Sequence, residues 1–286
     1  MGIRLVYSSI TREYLKLPDE VSKVASLNPF VSEVIIELGL GSKLVSVSPL
    51  CKVLARSWGY GGVTDKPVIG DYVSINPRLA RLVDLVILTN DVSERVLSTL
   101  RSLGTPYYLV SPPKTVWGIS DFIIDVAVAM NELSRGIELA RKFTRELSTL
   151  CEYVRKSLPL ELLNSLAYVE LDLGTTVIPG VFTHIITGLE LVGIKTVNSR
   201  VYDSYVLGDK AIQLSKNLVS NADYVIYGSG RYVPSPNDVT RKLLMRLTYD
   251  VPNNVIVTKP LTLADYGPKF VETLRYVTKH MTKLNL

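Results

Sequence analysis

Seven short runs rich in β-branched residues punctuate the chain: KVASL (23–27), KLVSVS (43–48), DLVILT (84–89), YYLVS (107–111), LAYVEL (166–171), DYVIYG (223–228) and NVIVTK (254–259). Their apolar residues run on with little polar alternation, the pattern of a strand covered on both faces, so each predicts a buried parallel strand. Between them, stretches such as 31–38, 91–103, 181–192 and 240–249 carry helix-like spacing, which gives a βαβ rhythm. The fold class is therefore α/β.

The middle of the chain departs from that rhythm. From Ser120 to Leu158 there is no proline and one glycine, Gly136, while apolar residues recur at three and four. This predicts two helices, broken or bent near Gly136. The second, from about Ser134 to Ser157, would be about 36 Å long at 1.5 Å per residue, enough to bridge two lobes. The flanking segments echo one another. In the first half SLNP leads into a helix ending LGLG and a strand LVSVS; in the second LAYVELDLG leads to VFTHIITGLELVG and TVN. NPRLARLVDLVIL is matched by LSKNLVSNADYVIY, each a short helix running into an Asp and a strand, and LGTPYYLV by VPNNVIVT. Such internal similarity predicts two Rossmann-like lobes with parallel sheets joined by one long α-helix. The expected boundaries are an N-terminal α/β lobe over 1–115, a helical segment over 116–158 and a C-terminal α/β lobe over 159–286.

Composition narrows the chemistry. The 286 residues, 47% hydrophobic, suffice for one large or two medium domains. The formal charge of +5 comes from 32 scattered Lys and Arg with no basic run, which argues against nucleic acid as a partner. Cys51 and Cys151 stand a hundred positions apart and form no CxxC pair. With His184 and His280 the only histidines, a metal site built from several imidazoles is excluded, and nucleophile–histidine pairs have few members. Gly39-Leu40-Gly41 follows a helix, and Gly228-Ser229-Gly230 follows a strand but lacks the third glycine of a dinucleotide fingerprint. These features favour binding over catalysis, and no cofactor of the protein's own is expected. The N-terminus carries Arg4, Arg12, Glu13 and Lys16 and lacks the apolar core of a secretory leader, and no uncharged run reaches the ~18 residues of a spanning helix.

Motif order adds a resemblance. ITREYLKLP followed by VSKVASLNPFVSEVIIELGLGSKLVSVS, then KPVIGDYVSINPRLARLVDLVI, then PGVFTHIITGLELVGIKTVN and DYGPKFVETLRYV resemble, in sequence order, the cobalamin- and siderophore-binding family of periplasmic solute-binding proteins, the class III proteins with a helical backbone. The resemblance runs nearly end to end. It implies capture of a metal chelate (ferric siderophore, cobalamin or haem) in a cleft between lobes, and delivery to the permease of an ABC importer. In that family one Glu on each lobe pairs with permease arginines; the matching positions here are Arg78 and Asn217. A guanidinium fork matches a carboxylate, so the usual docking bridges cannot form. The family implies an extracytoplasmic, membrane-associated location if a leader was trimmed; Met1 as a true start implies the cytoplasm.

In open α/β sheets ligands sit beyond the carboxyl ends of the strands, so loops there are the expected ligand contacts. The first lobe offers Asn28, Phe30, Trp58 and Tyr60 in RSWGYGG, Tyr72 and Asn90; the second offers Phe182, Tyr202, Tyr205, Tyr227, Arg231, Tyr232 and Tyr266. Sixteen tyrosines against five phenylalanines suit a chelate that presents both flat apolar faces and polar edges, although tyrosines also finish cores and cover loops. Arg231 suits a ligand carboxylate or hydroxamate-type anion, or serves as a solvated loop cation. Asp71 reads as a turn residue, Asp265 as a helix cap and His184 as a packing histidine. The helix starts near Asn28–Ser32 and Pro179–Thr183 offer N–H groups that suit an anion. Two other functions fit the same residues: a cytosolic ligand sensor or carrier, and an α/β enzyme of related fold.

Overall fold

The computed structural model describes residues 2–157, 164–247 and 251–282. The chain divides into two compact units, Met1–Pro112 with Ile119–Lys142, and Pro113–Gly118 with Phe143–Leu286. The expected boundary near 158 and the last two residues of the helix predicted over 240–249 lie outside the described residues.

The first unit opens with an antiparallel hairpin, β1 (Ile3–Ser8) and β2 (Glu13–Pro18), and continues β3 (Val24–Ser26), α1 (Pro29–Glu37), β4 (Leu44–Val47), α2 (Pro49–Trp58), α3 (Gly61–Thr64), α4 (Pro77–Ala80), β5 (Leu85–Thr89), α5 (Glu94–Leu103) and β6 (Tyr107–Val110), followed by α6 (Gly118–Ala129). β3 to β6 form a parallel sheet in the order β4-β3-β5-β6. Every residue of β3 and β5 is buried, which explains why these strands read as unbroken apolar runs. The helix starts follow one rule: Asn28, Ser48 and Asn76 cap α1, α2 and α4 with their side chains, each with a proline behind it. Proline at the first helical position gives up an N–H that has no partner there anyway.

The second unit contains β7 (Leu166–Asp172), β8 (Thr176–Pro179), α8 (His184–Leu191), β9 (Lys195–Thr196), a 3-10 turn (Val197–Arg200), β10 (Tyr205–Leu207), α9 (Gly208–Val219), β11 (Tyr224–Ser229), α10 (Pro236–Leu244), β12 (Asn254–Val257) and α11 (Phe270–Thr282). Its sheet runs β10-β8-β7-β11-β12, with β9 also paired to β7. Without the antiparallel pair β8 and β10, the order β9-β7-β11-β12 is parallel and repeats the plan of the first unit strand for strand. The internal echo in the sequence is thus a repeat of topology. The Asp before the third strand has the same task in both copies. Asp84 Oδ2 accepts from the N–H groups of Ser22 and Lys23 ahead of β3, and Asp223 Oδ2 accepts from Leu166 at the start of β7. Each carboxylate ties the entry of one strand to the entry of its neighbour.

Between the units in sequence runs α7 (Leu133–Ser157), whose residues up to Lys142 belong to the first unit and the rest to the second. The break between α6 and α7 is not at Gly136. It falls at Asn131, which takes a left-handed φ of 59°, a conformation that asparagine tolerates better than most residues and that ends helices. Gly136 lies inside α7 for a different reason: a Cβ there would stand 2.3 Å from the Cβ of Ala127 on α6. Gly136→Ala is expected to destabilise the first unit by about 1–3 kcal/mol through overpacking, because that cost exceeds the ~1 kcal/mol of helix propensity gained. A lower midpoint in urea unfolding followed by circular dichroism checks this.

Candidate functional site

In the first unit the structure joins Asn28 to Tyr72. Asn28 is buried; its Oδ1 caps α1 by accepting from Phe30 and Val31, and its Nδ2 donates to the Tyr72 hydroxyl at 2.8 Å and to Thr89 at 3.3 Å. The cap therefore already uses the N–H groups that the sequence suggested for an anion. Thr183 does the same at α8, accepting from Ile186. Burial, with Asp91 adding to it, pushes the Tyr72 phenol well above its ordinary range, so it stays protonated. The Tyr72 carbonyl accepts from Ser93 N–H, which links its loop to the one carrying Asn90, whose side chain donates to Ser111. Phe30 is packed into the core, 6% exposed. RSWGYGG is not a loop following a strand: Trp58 closes α2, and Tyr60 lies between α2 and α3 with its hydroxyl on Glu37 of α1 at 2.5 Å. Asp71 makes the expected turn, accepting from Val73 and Ser74 N–H, and these bonds hold its carboxyl below the usual range.

In the second unit three predicted residues are assembled by elements that the strand pattern did not announce. β10 pairs with β8 so that Tyr205 lies opposite Pro179. The chain beyond stays zipped, with Gly180 N–H on Ser204, Val181 on Val201 and Phe182 on Asp203. Gly180 allows this approach, since a Cβ there would stand 2.3 Å from the Asp203 carbonyl oxygen. Phe182, Tyr202 and Tyr205 thereby share one edge of the sheet, and all three are exposed, Tyr202 to 83%. Rings of this size usually find cover, so their joint exposure is the feature of the unit that most calls for a ligand.

Arg231 and Tyr232 lie exposed on the loop after β11, where Ser229 Oγ donates to the Tyr232 carbonyl. Tyr227 is not on that loop. It is a buried residue of β11 whose hydroxyl donates to Asp172 at 3.0 Å and accepts from Lys242 at 2.7 Å. Burial works against the Asp172 carboxylate, but the Lys242 ammonium, 2.6 Å away, and the Tyr227 hydroxyl hold it below its ordinary range. Deeper on the same strand, Glu170 is fully buried and pairs with Arg246 at 2.8 Å while accepting from Tyr168 at 2.7 Å. Sequence reasoning missed this ladder; its signal is the alternation Tyr168, Glu170, Asp172 on β7 and the two cations Lys242, on α10, and Arg246, just past its end.

Tyr266 is buried and packs edge-on against His184, which also meets Phe270. Neither ring nitrogen of His184 closes a hydrogen bond, and burial depresses its pKa to about 3, with the nearby backbone of Asp265 and Ala264 opposing slightly. His184 is thus a packing residue. Asp265 accepts from Gly267 N–H in the turn ahead of α11. Among the described residues no group of three His, Cys, Asp or Glu is placed to hold a metal ion, and no helix is long and apolar enough to cross a membrane.

No protein-family model matches the chain, and no curated protein matches it. Solved structures do. The periplasmic haem-binding protein RhuT from Roseiflexus sp. RS-1 is 16% identical over 92% of this chain and 98% of its own, with a TM-score of 0.71. The haem-binding protein HmuT is 16% identical over 99% and 91%, with a TM-score of 0.73. The fold is that of the class III periplasmic solute-binding proteins. The vitamin B12-binding protein BtuF of Vibrio cholerae shares this fold at 18% identity over 91% and 96%, with a TM-score of 0.64. In the second unit the β8–β10 edge carries three exposed aromatic residues, Phe182, Tyr202 and Tyr205, and the loop after β11 a fourth, Tyr232; others, such as Tyr7 and Tyr14 on the β1–β2 hairpin, stand apart from them in sequence.

Proposed function

We propose that the chain is an extracytoplasmic solute-binding protein that captures a metal chelate (a ferric siderophore, cobalamin or haem) and hands it to an ABC importer. The observation that carries this reading is an end-to-end fold shared with proteins named for binding haem and vitamin B12, combined with the exposed set Phe182, Tyr202, Tyr205 and Tyr232. A flat macrocycle or chelate with apolar faces gains from covering such rings, and Arg231, next to Tyr232 in the loop after β11, suits an anionic edge group. The protein acts by binding, and ATP hydrolysis belongs to its partner. With His184 sealed in the core and His280 on the last helix, the donors these segments offer an iron centre are oxygens: the phenols of Tyr202 and Tyr232 and the exposed carboxylate of Asp203.

Delivery requires a permease suited to this surface. Arg78 is exposed on α4 and Asn217 is exposed on α9, where the resemblance implies carboxylates, so the cognate permease would have to present acidic or neutral groups there.

The test is a fluorescence titration, read from the two tryptophans and the tyrosines, with haemin, ferric hydroxamate and catecholate siderophores and cyanocobalamin. One of these is expected to quench saturably at micromolar levels or below. Phe182→Ala, Tyr202→Ala and Tyr232→Ala combined should weaken that ligand by at least about 100-fold, since central aromatic contacts are worth about 2 kcal/mol or more each and tenfold is about 1.4 kcal/mol. The unfolding midpoint should hold, because these rings are exposed. Unchanged affinity in the triple variant would remove them from the site.

A further inference from the structure

Asp172 holds the start of one short loop and the helix into which that loop runs. Its backbone carbonyl accepts from Gly230 N–H at 2.8 Å, at the point where the chain leaves β11. Its Oδ2 accepts from Lys242 Nζ at 2.6 Å, on the helix α10 that the same loop enters through a Ser235–Asp238 capping box. Oδ1 also accepts from Gly174 N–H, at 3.3 Å, in the turn after β7. Tyr227 completes the cluster by bonding both Asp172 and Lys242. The six residues Gly230 to Ser235 thus run from a backbone bond on Asp172 to a capped helix that Lys242 pins to the same Asp172, and within them lie the exposed side chains of Arg231 and Tyr232.

The cluster stands where the strand order turns. β9 and β11 flank the start of β7, and beside Asp172 at its carboxyl end the neighbours are β8 and β11; the carboxyl end of a strand between β9 and β11, where the parallel order reverses, is where open α/β sheets hold ligands. Lys242 is partly open to solvent, 34% at its side chain, whereas in the Glu170–Arg246 pair Glu170 is fully buried and Arg246 is 14% exposed. The two rungs of the ladder thus hold different segments: the inner one ties the chain just past the end of α10 to β7, and the outer one ties α10 itself to the end of β7 from which the loop is also held.

We propose that Asp172, Lys242 and Tyr227 are positioning residues that lock the loop Gly230–Ser235 and so preset Arg231 and Tyr232 for ligand contact. The ligand part of this rests on the solute-binding reading; the locking part does not. Preorganisation of this kind lowers the ordering cost at binding, so loss of the lock should weaken affinity without removing any contacting group.

The test uses the full chain and two readouts. Arg231 is itself a trypsin site inside the loop, so cutting after it reports loop opening with no ligand present. At 25 °C, well below unfolding, Lys242→Met is expected to be cut after Arg231 at least tenfold faster than the unaltered protein, with the fragments identified by mass spectrometry. Arg246→Lys, a change in the inner rung, serves as the control for general loosening and should leave that rate unchanged. Whichever of haemin, ferric siderophore or cyanocobalamin the unaltered protein binds should bind Lys242→Met about tenfold more weakly, and Lys242→Arg should restore both readouts. Cutting of Lys242→Met at the unaltered rate overturns the lock. Faster cutting with unchanged affinity overturns the presetting of Arg231 and Tyr232. Faster cutting in a protein that binds none of the probes overturns the solute-binding reading and leaves the lock standing.

Discussion

Between about pH 6.5 and pH 3 the protein is expected to lose about 1.4 kcal/mol of stability per pH unit because of His184 alone. The ring is buried against Tyr266 and Phe270, its nitrogens unpartnered, and its pKa falls from 6.5 to about 3 in the folded state. Unfolded chains take up a proton on this residue below pH 6.5 while the folded protein does not, so acid favours unfolding throughout that window. The loss accumulates to about 5 kcal/mol near pH 3, where the folded state begins to protonate as well. At neutral pH both states are uncharged and the effect vanishes. His184→Leu keeps an apolar side chain of similar size against the same two rings and cannot take up the proton. Urea unfolding at a series of pH values should show the unaltered protein steeper than the variant below pH 6.5. Parallel curves would place His184 in a more polar environment than the structure gives it.

The second large effect concerns the inner rung of the ladder. Arg246→Met leaves the buried Glu170 carboxylate without its cation, with the Tyr168 hydroxyl as its hydrogen-bond partner among the described residues. Breaking a buried pair from one side typically costs about 3–5 kcal/mol, since the remaining charge loses its partner and regains no water. For a unit of this size that is a fall in Tm on the order of 6–20 °C. Replacing both partners, as Glu170→Met with Arg246→Met, removes the stranded charge and should recover much of the loss. Thermal unfolding followed by circular dichroism separates the cases. A single variant as stable as the unaltered protein would mean that the pair contributes nothing at this position.

The elements legible from sequence are those whose signal is local. Seven β-branched runs became β3, β4, β5, β6, β7, β11 and β12, because strands covered on both faces are predominantly apolar, with Glu170 on β7 the buried exception that needs Arg246. The long helix α7 showed itself by period and length. Hidden elements depend on distant partners. TVIP and YVL are too short and too broken by proline and glycine to read as strands, and they become β8 and β10 only through pairing with each other and with β7. The hairpin of β1 and β2 did carry a signal: IRLVYS and EYLKLP place Val6 and Leu17 inside while Ile3, Leu5 and Tyr14 face solvent. Gly136 misled because a glycine reads as a breaker, whereas here the need was for close helix contact.

The candidate site divides along the same line. Phe182, Tyr202, Arg231 and Tyr232 were picked out as loop residues and are exposed, since bulky aromatic residues beside glycine and proline have little local core to fill. Asn28, Phe30, Tyr227 and Tyr266 were chosen on the same ground and are buried. Tyr227 falls inside β11 because the strand runs on to Ser229, through a glycine that looked like its end. Whether a tyrosine supports a core or faces a ligand depends on which carboxylate and lysine meet it, and Asp172 and Lys242 are 55 and 15 residues from Tyr227.

Native mass spectrometry tests most directly whether this molecule is a carrier of chelates. After incubation with an equimolar mixture of haemin, a ferric hydroxamate siderophore, a ferric catecholate siderophore and cyanocobalamin, followed by desalting, the protein is predicted to retain one of them as a one-to-one adduct. Recovery of bare protein alone, from a sample shown to be folded by circular dichroism, would contradict it.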